Sequence, residues 1–272
     1  MSLITISRQL GSLGTEIAQA LGEKLNCEYV DKAKIENALL AYGLYGSVFK
    51  KFDEKKPSFW DSFQIQRSKF IHALEAVIYD FARKGNAVIV GRGGQVLLKG
   101  FPGVFHVRII APFGVRLKRI MAKEGLDEKK ATGIIHRDDR DSSGFLRSFF
   151  DTDWEDPGLY DLIINTQKLT MGSGMKLITE AILSPEIKEG EKQIGERLID
   201  LALAHKVEAT IMGILGNEFS SVKVQSMAGT VTIIGHVTSE ILKAKCIEAA
   251  SRVEGVKRVD NQLYVIERSY GT

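Results

Sequence analysis

The chain has 272 residues, 44% hydrophobic and 26% charged, the make-up of an ordinary globular protein with room for about two domains. Its 37 basic and 34 acidic residues leave a net charge of +3 with no long basic run, which argues against a nucleic-acid partner. Two cysteines, Cys27 and Cys246, are too few for a disulfide framework, no apolar run nears the ~20 residues of a membrane span, and the start lacks a signal-peptide layout; together these point to the cytoplasm.

The first predicted element is the apolar run Leu3–Ser7, a strand. It is followed by Arg8-Gln9-Leu10-Gly11-Ser12-Leu13-Gly14-Thr15 and then by a helix with Ile17, Leu21 and Leu25 on one face. A strand, a glycine-containing turn and a helix N-terminus form a phosphate cradle, because free backbone N–H groups and the helix dipole both favour an anion. Against the pattern G-x-x-x-x-G-K-[ST], Arg8 stands at the first glycine, Leu13 at the second and Gly14 at the lysine, so only Thr15 matches.

Further strands are expected at Glu28–Val30, Ala87–Gly91, Phe105–Ile110 and Asp161–Asn165. Short apolar runs alternating with helical patterns predict an α/β domain over residues 1–185, with a parallel five-stranded sheet between helices. Between the second and third strands the chain reads mostly helical, with Phe63, Phe70, Leu74, Val77, Ile78 and Phe81 as an apolar core stripe. Gly43–Pro57 reads as a loop containing the charged run Lys50–Lys56. Ser184–Gly190 reads as a linker, since Pro185 ends the preceding helix. Residues 191–268 then change pattern, to a helix reaching about Lys206, strands at Val222–Gln225 and Thr230–Val237, a helix from Ser239 to Arg252 and a strand at Val259–Ile266. This is a small α+β module of order αββαβ.

Both halves resemble known families. Ile4-Thr5-Ile6-Ser7-Arg8-Gln9, then Gly11-Ser12-x-Gly14 and Glu16-Ile17-Ala18, resembles the modified phosphate loop of the cytidylate kinase-like group of P-loop nucleoside monophosphate kinases, which also lacks the usual lysine. Val88-Ile89-Val90-Gly91-Arg92-Gly93 resembles the strand that ends in Gly-Arg-Asp in that group, with Gly93 in place of the aspartate. Trp154-x-Asp156-Pro157-x-x-Tyr160-Asp161-Leu162-Ile163-Ile164-Asn165-Thr166 resembles its last core strand. Gly229-Thr230-Val231-Thr232-Ile233-Ile234-Gly235-His236-Val237, followed by Gly255-Val256-x-x-Val259-x-Asn261, resembles a BON domain, a class of mostly binding modules.

The resemblance implies ATP and Mg²⁺ as cofactors and transfer of the γ-phosphate to CMP or a related small acceptor. A catalytically weak or inactive nucleotide-binding sensor, whose BON domain binds a second ligand or partner, is the alternative. The resemblance assigns Gln9, Gly11, Ser12, Gly14, Thr15 and Glu16 to the nucleotide, and Asp31, Arg92, Gly93, Asp141 and Arg147 to the acceptor and its lid. Arginine suits phosphoryl transfer because its planar, permanently charged fork matches phosphate oxygens. Arg8 is the candidate replacement for the missing lysine, or else an arginine lying over the strand end. Arg137 and Arg140 belong to His136–Arg147, which resembles the lid pattern R-D-x-x-D-x-x-R with Gly144 at its last place, or else pair along their own helix. Thr15 and Ser12 offer a hydroxyl to the metal or cap the helix, Glu16 approaches the metal or favours the dipole, and Asp31 serves the acceptor or caps the next helix. No protein metal ligands are expected: the five histidines show no ligand spacing, and His72 and His106 read as structural. The BON ligand is unspecified, and a homo-oligomer stays open.

Overall fold

A computed structural model of the protein describes residues 2–41 and 60–266. The expected loop at Gly43–Pro57, its charged run Lys50–Lys56 and the side chain of Phe63 lie outside the described residues. In chain order the elements are β1 (Leu3–Arg8), α1 (Gly14–Leu25), β2 (Glu28–Val30), α2 (Lys32–Ala41), α3 (Trp60–Arg83), β3 (Ala87–Val90) and α4 (Gly94–Leu97). There follow β4 (Val104–Ile110), α5 (Phe113–Glu124), α6 (Glu128–Phe150), β5 (Leu162–Asn165), α7 (Met171–Ile182) and α8 (Pro185–Gln193). The remainder is α9 (Gly195–Leu215), β6 (Val222–Met227), β7 (Thr230–Val237), α10 (Glu240–Ser251) and β8 (Arg258–Val265). The chain divides into two compact units, one from residues 1–34 and 84–195, the other from 35–83 and 196–272.

The first unit holds a five-stranded sheet of order β2-β3-β1-β4-β5, and every pairing is parallel. Its central strands are buried on both faces, which explains their richness in Ile and Val. Alternate residues Ile4 and Ile6 of β1, Val88 and Val90 of β3, and Val107 and Ile109 of β4 share one face. Ile17, Ala18 and Leu21 of α1 and Ile178 and Ile182 of α7 cover it. Fully burying each such side chain contributes roughly 1.5–3 kcal/mol. From β1 the chain proceeds to one side of the sheet and from β4 to the other, so the crevice at their C-terminal ends is the position where open α/β sheets bind ligands.

Ser184–Gly190 is not a linker. It opens α8, with Ser184 at the N-cap and Pro185 at the first helical position, where a missing N–H costs nothing. Backbone meets backbone there: a Cβ on Gly190 would stand 2.3 Å from the carbonyl carbon of Pro102, and one on Gly103 would stand 2.4 Å from the Glu191 nitrogen. Proline was therefore a start signal at this place, and the two glycines permit the close approach.

The second unit carries a three-stranded sheet of order β6-β7-β8, with β6 antiparallel and β8 parallel to β7. Ala228 and Gly229, both left-handed (φ 53° and 87°), form the two-residue turn between β6 and β7. Val224, Val231, Ile233, Val237 and Leu263 of the sheet pack with Val207, Ile211 and Met212 of α9 and Cys246 and Ala250 of α10. The first helix of the module runs to Leu215, beyond the expected end near Lys206. The order is αββαβ. No helix among the described residues is long and apolar enough to cross a membrane.

Candidate functional site

β1 delivers Arg8 to the end of the sheet. Gln9 follows and is fastened to β4: its N–H donates to the Ile109 carbonyl (3.0 Å) and its Oε1 accepts from the Ala111 N–H (3.2 Å). The turn then closes on itself, as the Ser12 N–H and hydroxyl both donate to the Gln9 carbonyl, at 3.2 and 2.7 Å. Gly11 and Leu13 are both left-handed, with φ of 81° and 65°. Leu13 is the N-cap of α1 and supplies no side-chain cap, so the first N–H groups of the helix have no side-chain acceptor from that residue.

Two arginines of α5 clamp this loop from outside. Arg116, buried, donates to the Leu10 carbonyl (3.4 Å) and forms a two-pronged pair with Asp139 of α6 at 3.0 and 2.8 Å. Arg119 donates to the Gly11 carbonyl (3.2 Å) and to the hydroxyl and carbonyl of Thr166 (3.0 and 2.8 Å), and the Thr166 hydroxyl donates to the Ser12 carbonyl (2.7 Å). Gly11 has no room for a side chain, since a Cβ would meet the Arg116 carbonyl oxygen at 2.9 Å. The loop carbonyls are thus engaged on the outer side.

Arg8 runs across the mouth of the cradle. A Cβ on Gly14 would stand 2.4 Å from the Arg8 Cβ, and one on Gly91 would stand 3.7 Å from its guanidinium, so Arg8 spans from the start of α1 to the end of β3. Its Nε is buried without a hydrogen-bond partner among the described residues. The same holds for Oδ2 of Asp138 on α6. Burial raises the Asp138 carboxyl above its ordinary value, opposed by Arg8 and, more weakly, by Arg116, while Asp139 and Asp141 reinforce the rise.

Ser7, beside Arg8, accepts from the Trp154 indole N–H (2.7 Å). Buried Arg108 of β4 stacks on Trp154, 4.4 Å to the ring centre, and donates to the Trp154 carbonyl and the Tyr160 hydroxyl. This cluster fixes the segment before β5 and holds the β1 end in place.

After β3, Gly91, Arg92 and Gly93 are three consecutive left-handed residues, with φ of 72°, 50° and 73°, turning the chain into α4. The Arg92 guanidinium lies over the Phe145 ring, 5.3 Å from its centre. A Cβ on Gly93 would stand 2.4 Å from the Phe150 ring.

The structure therefore brings Arg8, Gly11, Ser12, Gly14, Thr15, Arg92 and Gly93 to one edge of the sheet. Glu16 is engaged by Lys123 at 2.9 Å, which together with Arg119 lowers its carboxyl against the opposing effect of burial. Asp31 accepts from the Lys34 N–H (2.9 Å) at the start of α2. Arg137, Arg140, Asp141 and Arg147 lie on the exposed face of α6, and Asp138 and Asp139 on its half-buried face are the residues turned towards the loop. Sequence reasoning missed Arg116, Arg119, Asp139 and Thr166. Their signal was faint, because an arginine clamp on backbone carbonyls has no fixed spacing.

A model of the cytidylate kinase-like family matches residues 3–168, and a BON domain model matches residues 202–267. The chain belongs to the cytidylate kinase-like family. It is 28% identical over 200 residues to a cytidylate kinase of Pyrococcus horikoshii, covering 71% of this chain and 97% of that protein. A uronate isomerase of Corynebacterium glutamicum is 33% identical over 96 residues, 34% of this chain and only 18% of the length of that protein. A crystal structure of an uncharacterized protein from Eubacterium ventriosum superposes with a TM-score of 0.51 at 24% identity, covering 68% of this chain and 99% of that one. That likeness concerns the fold. Gly93, where the family pattern has an aspartate, acquires a physical reason: the Phe150 ring stands where the first carbon of that side chain would be.

Proposed function

We propose that the first unit is an ATP-dependent phosphotransferase acting on CMP or a related small acceptor, with Arg8 in the part normally taken by lysine. The observation that carries this reading is the Arg8 side chain stretched from the start of α1 to the end of β3 with a buried Nε lacking a partner. A buried guanidinium nitrogen without an acceptor is costly, and phosphate oxygens are the acceptors a cradle at that place would supply. Gly11, Gly14 and Thr15 are the loop residues whose backbone N–H groups would face the phosphates. Gln9 and Ser12 hold the turn in shape through the hydrogen bonds given above, rather than reaching for a ligand. Arg92 marks the acceptor side, with Asp31 near the end of β2.

The residues fit a magnesium ion modestly. The Ser12 hydroxyl is committed to the Gln9 carbonyl and Glu16 to Lys123, which leaves Thr15 as the protein ligand. That suffices for an ion that keeps waters and phosphate oxygens as its other ligands. Bound there, the ion would neutralise charge developing on the transferred group. Arg137, Arg140, Asp141 and Arg147 are assigned to a lid that folds over the phosphates once both substrates are present.

Phe150 against Gly93 supports a second reading, a nucleotide-binding sensor that lacks the family's acceptor carboxylate and signals through residues 191–268. Titration with ATP and Mg²⁺ in the presence of CMP, dCMP, UMP or AMP, with ADP production followed in parallel, separates the two. ADP formation dependent on one acceptor is expected. Binding without ADP formation would establish the sensor, and no turnover above background across the panel would end the kinase reading.

A further inference from the structure

The second unit holds a cluster that the kinase reading does not use. Helices α3 and α9 each carry a His-x-x-Glu pair, His72-Ala73-Leu74-Glu75 and His205-Lys206-Val207-Glu208. Residues three apart share a helix face, so each helix presents one imidazole and one carboxylate together. The four side chains meet. His72 Nδ1 lies 3.2 Å from Glu75 Oε2 and 3.3 Å from Glu208 Oε2, and His205 Nδ1 lies 3.4 Å from Glu75 Oε2 and 2.8 Å from Glu208 Oε2. One donor atom from each of His72, His205 and Glu208 falls within 4.8 Å of the others.

All four of these atoms are buried, and none has a hydrogen bond of acceptable geometry among the described residues. Polar atoms so close together, yet not aimed at one another, indicate a shared point between them rather than a set of proton bridges. Ligand atoms around a tetrahedral zinc with arms of about 2.0–2.1 Å stand about 3.3 Å apart, and the four imidazole–carboxylate separations here run from 2.8 to 3.4 Å. Two neutral imidazoles and two carboxylates carry a total charge of −2, which a divalent cation balances.

We propose that His72, Glu75, His205 and Glu208 bind one divalent transition-metal ion of the zinc type, which ties α3 to α9. Mixed imidazole and carboxylate donors suit such an ion better than magnesium or calcium, which favour all-oxygen sites. The surroundings orient the ligands. Glu208 Oε1 accepts from the Val224 N–H of β6 at 3.3 Å, leaving Oε2 for the metal. The Phe219 ring stands edge-on to His72, 5.7 Å between centres, and the Tyr79 ring lies 5.3 Å from His205, so apolar walls restrict rotation of both imidazoles. His72 keeps 28% exposure, which gives an ion a path in.

This assignment is independent of any activity of the first unit. It is tested on the full chain by equilibration with Zn²⁺, removal of free metal and elemental analysis. Titration with Co²⁺, followed by visible absorption, and melting with and without a chelator complete the test. The expected results are one zinc per chain, the intense bands of four-coordinate cobalt and a lower melting temperature after chelation. In His205→Gln and Glu208→Gln, checked for folding by circular dichroism, metal affinity is expected to fall by roughly tenfold or more. Wild-type chain that retains no metal and melts identically with zinc and chelator overturns the proposal, even if neither variant folds. So does zinc bound equally well by both folded variants.

Discussion

Two loops leave the same edge of the same sheet, from the adjacent parallel strands β1 and β3, and they treat their arginine differently. The loop after β1 engages its carbonyls with Arg116, Arg119 and the Ser12 hydroxyl, and leaves the Arg8 Nε without a partner. The loop after β3 is made of three left-handed residues, rests Arg92 on Phe145 and places Gly93 under Phe150. One loop is pinned around an arginine whose Nε lacks a hydrogen bond among the described residues, and the other is closed by aromatic side chains. The difference teaches that glycine has two uses at such an edge. Gly14 makes room for the Arg8 side chain, which we propose meets phosphate, whereas Gly93 makes room for a packing ring.

The largest expected effect falls on the first loop. Arg8→Ala is expected to lower kcat for phosphoryl transfer by about 10²–10³-fold, the usual result of removing one preorganised charge at the transferred group, with Arg8→Lys less impaired. Melting temperatures measured beside the rates separate this from unfolding. Wild-type rates in the alanine variant would make Arg8 a packing residue and erase the contrast between the loops.

The second loop gives an intermediate effect. Gly93→Asp restores the family carboxylate but places a side chain at φ 73° against Phe150, and is expected to cost about 2 kcal/mol or more. Adding Phe150→Ala removes the contact, so the double variant should recover part of the melting temperature lost by the single one. If Phe150 is what narrows acceptor choice, the double variant also lowers KM for CMP. Equal melting of Gly93→Asp and wild type would show that the ring moves aside freely.

The smallest effect lies in the sheet beneath both loops. His106 of β4 is buried, with Nδ1 2.7 Å from the Thr5 hydroxyl, and burial holds its imidazole below the ordinary value, with Asp161 opposing. The unfolded chain therefore takes up the proton first as pH falls. Stability from this group is complete above the ordinary value of 6.5 and declines below it. Melting curves of wild type and His106→Gln, compared between pH 5 and 8, should converge at low pH; parallel curves would remove His106 from the account.

Much of the fold was legible because its signals are local. The β-branched runs of β1, β3 and β5 announce strands, and Ile17 and Leu21 announce the helix that covers the sheet. The candidate site was legible only where the chain itself carries the geometry, from Arg8 through Thr15 and from Gly91 through Gly93. Ser184-Pro185 misled because the same residues that stop one helix start another. His72 and His205 showed no ligand spacing to each other along the chain, since the spacing that matters, three residues to a glutamate, occurs separately on α3 and α9.

The sequence by itself determined the strands, most of the helices, the strand–turn–helix at the start and the family membership, because periodicity and turn chemistry act over a few residues. The tertiary structure decided what each charge faces. Arg116 and Arg119 clamp a loop roughly a hundred positions earlier, Phe150 fills the space over Gly93, and two histidines and two glutamates of α3 and α9 are brought side by side. Hydrogen bonds and coordination depend on distances of about 3 Å, and only the packed chain sets those between residues far apart in order.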